Sequence, residues 1–486
     1  MTTGDERALL ALQRFGLGGS PGARAALIDD PRGACLAEIG PDRAVIPKGD
    51  LPDTPRGIQI VTEIEERRRE MREAQRKVAQ AGNAMPAPQM GGEMASGMAG
   101  PPGTASRPNN PPDPDEIRLA DVFAAEVKAR VSFAMAQPVG FAERWAQFWS
   151  NHFCVATRRG QIMRGTVGPF EREAIRPHVF GRFETLLVAV EMHPAMLHYL
   201  DQRQSIGPNS PAGRRQKRGL NENLAREILE LHTLGVGGGY SQADVTAFAR
   251  VLTGWSITGR DENIDGFGGF AFAPNRHEPG SHSVMGKSYI DTGKEQGIAV
   301  LKDLTRHPST AKFIATKLAR HFVADQPPAA LVKKLADDFR KSEGDLATLA
   351  RTLLTAEEAW AAPRSKLRTP NEFLLAAFRA VGQAPERPQQ VINMLNLMGQ
   401  PLWNPPGPNG HPDDEASIAA PKAIKTRLDF SLQMARPWAG KLDPRELAEQ
   451  LFGETISLET RQAVARAETR PQGLAILLMS PEFQRR

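Results

Sequence analysis

The chain of 486 residues is 40% hydrophobic and 24% charged, an ordinary balance that predicts a globular protein with a sizeable core. Aromatic residues make up only 6%, which disfavours an all-β sandwich or barrel. The formal net charge of +5 is mild, and without a recognisable module or a focused basic face it predicts no nucleic-acid binding.

The N-terminus lacks a basic segment followed by an apolar run, and the chain has no stretch of about 18 apolar residues. These features predict neither a signal peptide nor a membrane span. From them we expect the chain to be cytoplasmic. Export to the periplasm, or secretion, together with a folded partner is the alternative.

Helical patterns begin close to the N-terminus. Residues 6–15 predict a short amphipathic helix, and residues 60–80 predict a strongly charged helix that packs along one thin edge. We interpret residues 1–80 as a helical N-terminal segment. Residues 81–114 are rich in Met, Gly and Pro and cannot bury enough apolar area, so they predict a disordered insert. Residues 115–486 are interpreted as one helical core domain.

The predicted fold class is mainly α. We expect a multi-helical single core with long irregular loops and room for one short β-hairpin at residues 267–272. Residues 202–219 and 258–293 are rich in Gly and predict loops. Residues 401–412 predict a further loop, because each Pro moves the residue before it out of the helical region.

Residues 220–255 predict a helix, a tight glycine-rich turn and a second helix. The first helix is expected to end at Gly235, where a left-handed residue fits best. The second helix is expected to begin after Ser241 as N-cap, with Asp244 three residues later as its capping partner.

Glu227 is the unusual residue of the first helix. At about 100° per residue it falls in the middle of an apolar arc formed by Leu220, Leu224, Leu231 and Leu234. The other side carries Glu222, Arg226 and Glu230, which have the spacing of exposed ion pairs. A carboxylate on a buried face needs a partner or a raised pKa. Glu227 is therefore either half of a structural ion pair or part of a polar site.

The helix predicted at residues 141–153 shows the same anomaly. Its apolar face consists of Phe141, Trp145, Phe148 and Trp149. His152 projects from that face, and Asn151 lies beside it. A histidine in this position is either a satisfied core residue or, together with Glu227, part of a shared polar site, because buried polar groups need one another.

Two loops carry further candidates. His277 stands beside Glu278 with His282 nearby, and it is either a metal ligand, a general base or a solvated loop histidine. A basic cluster in another loop is either simply solvated or a contact for an anionic partner; it consists of Arg214, Arg215, Lys217 and Arg218.

Several well-known catalytic motifs are absent from the sequence. The chain has no GxGxxG following a strand, no GxxxxGK[ST], no HExxH and no GxSxG. Cys35 and Cys154 form neither a disulfide framework nor a zinc pattern. Nucleotide-binding, zinc-protease and α/β-hydrolase chemistry of the known kinds is therefore disfavoured.

Motifs spread along the chain carry a resemblance to one family. They are RFGLGG at 14–19, WxxFWSNHF at 145–153, HPAMLHYLD at 193–201, NENLAREILELHTLGVGGGYSQADV at 221–245, TGW at 253–255, HPSTAKFIATKLARHFV at 307–323 and GQPLWNPPGPNGHP at 399–412. Over nearly its full length the chain resembles the domain of unknown function 1800 family. It departs from the usual pattern at Gly237, where the family's turn generally has an acidic residue.

The resemblance implies a bacterial, predominantly helical protein whose family has no established activity and no agreed catalytic residues. Members are often encoded beside proteins of the domain of unknown function 1501 family, which look like exported relatives of sulfatases and alkaline phosphatases. The resemblance therefore implies a protein of that second family as a partner in an envelope or secreted process.

Two hypotheses of function follow. The first is an enzyme with a buried carboxylate–imidazole site, in which Glu227 and His152 form the core and Asn151 and His277 are neighbours. Such groups suit acid–base work, or a divalent metal ion bound by His152, Glu227 and His277 that assists hydrolysis beside the exported partner. The second is a non-catalytic scaffold or export partner, in which the same polar groups only hold the core together.

Overall fold

The computed structural model of the chain describes residues 4–82, 114–216, 219–259 and 267–486. It is 65% helical, and the strands within these ranges form two small antiparallel pairs, so the predicted mainly α fold is confirmed. None of the described helices is long and apolar enough to cross a membrane. The insert predicted at 81–114 lies, except for its ends, outside the described residues.

The N-terminal part begins with short helices and continues with two long ones. Its α-helices are α1 (Gly4–Leu10), α2 (Ala23–Leu27), α3 (Pro31–Leu36), α4 (Thr54–Gly82), α5 (Pro114–Ala136), α6 (Phe141–His152), α7 (Gln161–Phe170), α8 (Phe183–Glu191) and α9 (Pro194–Tyr199). The helix predicted at 60–80 is α4, which begins earlier than expected. It buries Val61 and Ile64, whereas its outer part is largely exposed, as its charge pattern predicts.

The central part contains the strands. Its helices are α10 (Pro211–Gln216), α11 (Asn223–Glu227), α12 (Gln242–Leu252), α13 (Lys294–Arg306), α14 (Pro308–Phe322), α15 (Ala329–Lys341), α16 (Leu346–Thr355) and α17 (Glu357–Ala361). The strands are β1 (Trp255–Ile257), β2 (Phe270–Phe272), β3 (His282–Val284) and β4 (Lys287–Tyr289). β1 pairs with β2 and β3 pairs with β4. Of the hairpin predicted at residues 267–272 only β2 lies there, because its partner β1 comes before the glycine-rich loop.

The C-terminal part is again helical. It consists of α18 (Pro370–Val381), α19 (Pro388–Leu397), α20 (Glu415–Ile418), α21 (Pro421–Trp438), α22 (Pro444–Phe452), α23 (Leu458–Ala465), α24 (Arg470–Met479) and α25 (Pro481–Gln484). Short π-helical segments occur at Ala11–Phe15, Glu171–Ile175 and Ile228–Thr233. Turns of 3-10 helix occur at Thr157–Arg159, Arg176–His178, Gln202–Gln204, Pro274–Arg276 and Gly453–Thr455.

Two apolar clusters form most of the core. The larger cluster includes the buried faces of α6, α8, α12 and α14, and the smaller one those of α18, α21, α22 and α24. Leu10 belongs to the larger cluster and Leu9 to the smaller, so α1 is built into both. Phe123 and Trp403 pack against both clusters, and Trp403 also lines the cleft described below. The division of the chain at 80 and 115 stays a prediction.

The expected helix–turn–helix of residues 220–255 differs from the structure in one respect. Gly235 has a φ of 83° and Ser241 and Asp244 form a capping box, so the predicted turn and cap are confirmed. The first helix, however, becomes π-helical at Ile228, which changes the angle between successive side chains. His232, within this segment, is buried, whereas Glu227, just before it, is half-buried.

Candidate functional site

A narrow cleft of about 80 Å³ lies where the C-terminal ends of α6 and α14 meet the start of α18 and the loop between α19 and α20. That volume suits a few water molecules or a small chemical group. The polar side chains that line the cleft include Gln147, Ser150, Asn151, His321, Asn371, Glu372, His411 and Asp413.

His321 and Asp413 form a carboxylate–imidazole pair at this cleft. The Nδ1 atom of His321 lies 2.9 Å from the Oδ2 atom of Asp413. The Nε2 atom is buried and has no hydrogen-bond partner among the described residues. Burial lowers the pKa of His321 to about 4, although Asp413 opposes this effect. The imidazole is therefore neutral at pH 7, with Nδ1–H donated to Asp413 and an unused lone pair on Nε2.

Asp413 stays ionised beside this neutral ring. Burial alone would raise its pKa, but the hydrogen bond from His321 and the charges of Lys366 and Arg486 outweigh burial and hold the pKa well below its usual range. Lys366 Nζ lies 3.8 Å from Asp413 Oδ1 and 2.7 Å from Asp325 Oδ1. The carboxylate thus orients the imidazole without competing for its proton.

Glu372 is a second ionised carboxylate on the wall of the cleft. Its Oε1 atom lies 3.1 Å from Nη2 of Arg144, and its Oε2 atom lies 2.9 Å from Nε of Arg486. Burial opposes ionisation, but the two guanidinium groups together with His321 lower the pKa of Glu372 to about 2. Glu372 also caps α18 by accepting a hydrogen bond from the Thr369 amide.

The opposite wall is held by Glu171. This buried carboxylate accepts hydrogen bonds from Ser150 Oγ at 2.8 Å and from Trp403 Nε1 at 2.7 Å. Arg130 and Arg176 also pair with it, so its pKa lies well below its usual range in spite of burial. Trp403 has a φ of 49°, which is rare for a bulky residue and indicates a tightly held loop.

Asn151, predicted as a neighbour of the site, fixes the loop that carries Asp413. Its Nδ2 donates to the His411 carbonyl oxygen at 2.9 Å, and its Oδ1 accepts from the His411 amide at 2.8 Å. Gly410 has a φ of 87°, and a Cβ placed there would lie 2.5 Å from the Asn151 carbonyl oxygen. The side chain of Asn151 therefore acts as a positioning group.

His152 is buried, as its position on the apolar face of α6 predicts. Its Nε2–H donates to the His232 carbonyl oxygen at 3.2 Å, and its Nδ1 accepts from Lys317 Nζ at 3.0 Å. Burial and the charge of Lys317 hold its pKa well below the usual value, so the ring is neutral. Both ring nitrogens are engaged by the protein.

Glu227 lies in the same region, but its side chain forms no hydrogen bond or ion pair with His152 or with any other residue that the structure describes. Burial raises the pKa of Glu227, and the charge of His232 opposes this effect. The ring of His232, which stands 6.2 Å from that of His152, pairs instead with Glu191 through a 2.7 Å contact. Whether Glu227 and His152 act together stays a prediction.

His277 lies in a different part of the molecule. Its Nδ1–H donates to the Thr253 carbonyl oxygen at 2.8 Å, and its Nε2 stands 3.4 Å from Asp291 Oδ1. Its ring packs on Phe272. No described contact joins His277 to His152 or Glu227, so the three metal candidates are not brought together. Of the basic cluster, Arg214 and Arg215 are exposed on α10, and Lys217 and Arg218 lie outside the described residues.

The comparison with known families agrees with the motifs along the chain. The family described as "Protein of unknown function (DUF1800)" matches residues 10–485. The chain belongs to this family. No curated protein and no solved structure matches it. The matched range includes every residue of the cleft, so the His321–Asp413 pair lies within the region that defines this domain of unknown function 1800 chain.

A ready-made metal site is not evident in the described part of this family member. Within those ranges no three His, Cys, Asp or Glu side chains converge closely enough to hold an ion. The carboxylates at the cleft are engaged by protein groups, because Asp413 pairs with His321 and Glu372 with two arginines. The expected divalent metal therefore has no assigned ligand set.

Sequence reasoning missed His321, Asp413 and Lys317. The sequence did contain a signal for the histidine, because His321 lies on the same helical face of α14 as Ile314 and Leu318. A histidine on an apolar helical face is also what singled out His152. Asp413 gave no such signal, because a loop has no periodicity. The family motif at 399–412 ends one residue before it.

Proposed function

We propose that this chain is an enzyme that performs acid–base chemistry, in the first instance hydrolysis, with His321 and Asp413 as its reactive pair. The observation that carries the proposal is the state of His321. His321 lines the cleft, its Nδ1 is fixed by Asp413 at 2.9 Å, and its buried Nε2 lies 4.0 Å from Glu372 Oε1 without a hydrogen-bond partner among the described residues. A neutral imidazole held in this tautomer by a carboxylate suits a general base.

Water is the nucleophile that this site favours. A water molecule in the cleft can donate to Nε2 of His321, which takes its proton as the oxygen attacks an acyl, phosphoryl or sulfuryl centre. Asp413 stabilises the imidazolium that forms, and the proton then passes to the leaving group. Cys154 also lines the cleft, but burial raises its pKa to about 12, so its sulfur stays a protonated and weak nucleophile.

Glu227 and His152 belong to this proposal as a second acid–base pair. Burial raises the pKa of Glu227, which suits a general acid, and His152 is neutral. The two elements that carry the pairs are in contact, because Lys317 of α14 reaches His152 one turn before His321. A metal-assisted form of this mechanism is tested by measuring the metal content of the purified protein. One tightly held ion per chain would support it.

The proposal extends to a partner. Because the family resemblance associates such chains with domain of unknown function 1501 proteins, we propose that the enzyme acts beside that sulfatase- or phosphatase-like partner outside the cytoplasm. The exposed Arg214 and Arg215 offer a contact for an acidic surface. Co-purification of the two proteins, weakened in an Arg214→Glu and Arg215→Glu double variant, would support the association.

The catalytic proposal is tested with chromogenic carboxylate, phosphate and sulfate esters, whose reactive groups are small enough for the cleft. His321→Gln and Asp413→Asn are expected to lower kcat/KM by about 100-fold or more, the usual contribution of a general base. His178→Gln is the matched control, because the side chain of that half-buried histidine makes no hydrogen bond to any described residue. It is expected to retain the activity.

Two outcomes would count against the proposal. Equal kcat/KM values for the wild-type chain and His321→Gln would show that the pair has no catalytic part. Failure of the folded chain to hydrolyse any of the three ester classes, together with a stable complex with the partner, would favour the non-catalytic scaffold instead.

A further inference from the structure

Lys317 stands out among the cations near the cleft. It lies on α14 and is half-buried, and its Nζ atom stands 5.5 Å from the centre of the Phe313 ring. Its one hydrogen bond to a described residue runs to Nδ1 of His152 at 3.0 Å. Within the described ranges no carboxylate lies at ion-pair distance from it. Lysines withdrawn from water ordinarily have such a partner, because an unpaired buried charge is costly.

Lys366 provides the contrast within the same region. It is almost completely buried, and its Nζ atom lies 2.7 Å from Asp325 and 3.8 Å from Asp413. The fold thus supplies two carboxylates to one lysine and none to the other. A lysine without a counter-charge is the one whose amine is stable in the uncharged, nucleophilic form.

His152 is arranged to orient this amine. Its Nε2–H is committed to the His232 carbonyl oxygen, so Nδ1 presents a lone pair toward Lys317. Burial lowers the pKa of Lys317 to about 8, while the negative charge of Asp413 opposes the effect. At pH 7 a larger fraction of this amine is therefore uncharged than in an exposed lysine.

We propose that Lys317 is an imine-forming residue that binds small aldehydes or ketones, with His152 as the group that orients its amine. The uncharged Nζ attacks the carbonyl carbon, a C–N bond forms, and the carbonyl electron pair moves to oxygen, which takes one proton from the nitrogen. The nitrogen lone pair then forms the C=N bond, and the hydroxyl leaves as water with a proton from solvent. No oxidant or reductant takes part in this step.

This site uses different side chains from the proposed hydrolytic pair. Lys317 and His152 hold the amine, whereas His321 and Asp413 act one helical turn further along α14. Phe148 packs against both imidazoles, with ring centres 6.1 Å from His152 and 5.4 Å from His321, and so separates them. The labelling of Lys317 and the hydrolytic role of the His321–Asp413 pair can therefore fail independently.

The test is competitive labelling of the folded wild-type chain. Butyraldehyde and sodium cyanoborohydride are added at pH 7, and peptide mass spectrometry follows the alkylation of each lysine. Lys317 is expected to react about ten-fold or more faster than Lys312, an exposed lysine on the same helix, because a lowered pKa raises the uncharged fraction. Prior unfolding in urea is expected to abolish the difference.

Two results of this labelling experiment would contradict the proposal. A rate at Lys317 equal to or below that of Lys312 in the folded chain would overturn the proposal. A His152→Gln variant that folds normally by circular dichroism is expected to lose the selective labelling of Lys317 while Lys312 is unchanged. Unchanged labelling of Lys317 in that variant would overturn the role of His152.

Discussion

Beside the cleft, a single carboxylate, that of Glu372, pairs with more than one buried arginine. Glu372 pairs with both Arg144 and Arg486, so one carboxylate balances two buried guanidinium groups. Arg368 and Arg427 are also buried nearby and donate mainly to backbone and amide oxygens. The ionised form of Glu372 therefore holds several positive charges in the core.

Replacing Glu372 by Gln is expected to destabilise the chain by about 3–5 kcal/mol, because the arginines then lose their counter-charge in a buried position. Urea unfolding at pH 7 measures the loss. Glu73→Gln is the matched control, since Glu73 pairs with Arg69 on the exposed part of α4 and its loss should leave the midpoint nearly unchanged. Equal midpoints for the two variants would contradict the assignment.

Glu372→Gln is also expected to change how the stability of the chain depends on pH. The pKa of Glu372 is lowered to about 2 from an ordinary value of 4.5. A carboxylate whose pKa is depressed by folding contributes stability above the unfolded pKa, and the contribution is lost as the pH falls through the folded pKa. The wild-type chain should therefore lose this contribution between about pH 4.5 and 2, and Glu372→Gln should lack that component.

At the scale of elements, local signals predicted the helix ends well. Gly235 and the Ser241–Asp244 capping box stand where residue types alone place them, because caps depend on near neighbours in the chain. The π-helical segment Ile228–Thr233 was not predicted. Within it, the buried His232 pairs with Glu191, a residue of α8 that is distant in the sequence.

The loop between α19 and α20 allows a test of how strictly one element is positioned. Gly410 and Gly239 have similar φ angles, 87° and 95°, so alanine strains the backbone at both. At Gly239 an added Cβ meets nothing within 4 Å, whereas at Gly410 it would collide with Asn151.

Gly410→Ala is therefore expected to cost about 1–3 kcal/mol more than Gly239→Ala, because the loop must also leave Asn151. Chemical denaturation compares the two variants. In the proposed reaction Gly410→Ala should also lower kcat, since the loop carries Asp413. Equal stability of the two variants would show that the loop yields without strain.

At the scale of the whole molecule, the sequence predicted the class of fold but not the pairing of the polar side chains. Helical periodicity placed His152 on a buried face, and the same periodicity held for His321. The contact of His321 with Asp413 spans 92 residues, and the contact of His152 with Lys317 spans 165. Such pairs follow from how helices and loops pack, which local patterns do not encode.

The link between α4 and α5 offers a test on the whole chain. Val61 and Ile64 of α4 pack with Leu119 of α5 in one apolar cluster, and all three lie outside residues 83–113. Replacing residues 83–113 by a Gly/Ser linker of about ten residues should therefore keep this packing and change the Tm of the chain by less than about 3 °C. Calorimetry of the two chains checks the prediction.

Val61→Asp places an unpaired charge in the same cluster and should lower the Tm by several degrees. A deletion as damaging as Val61→Asp would show that residues 83–113 contribute to the core.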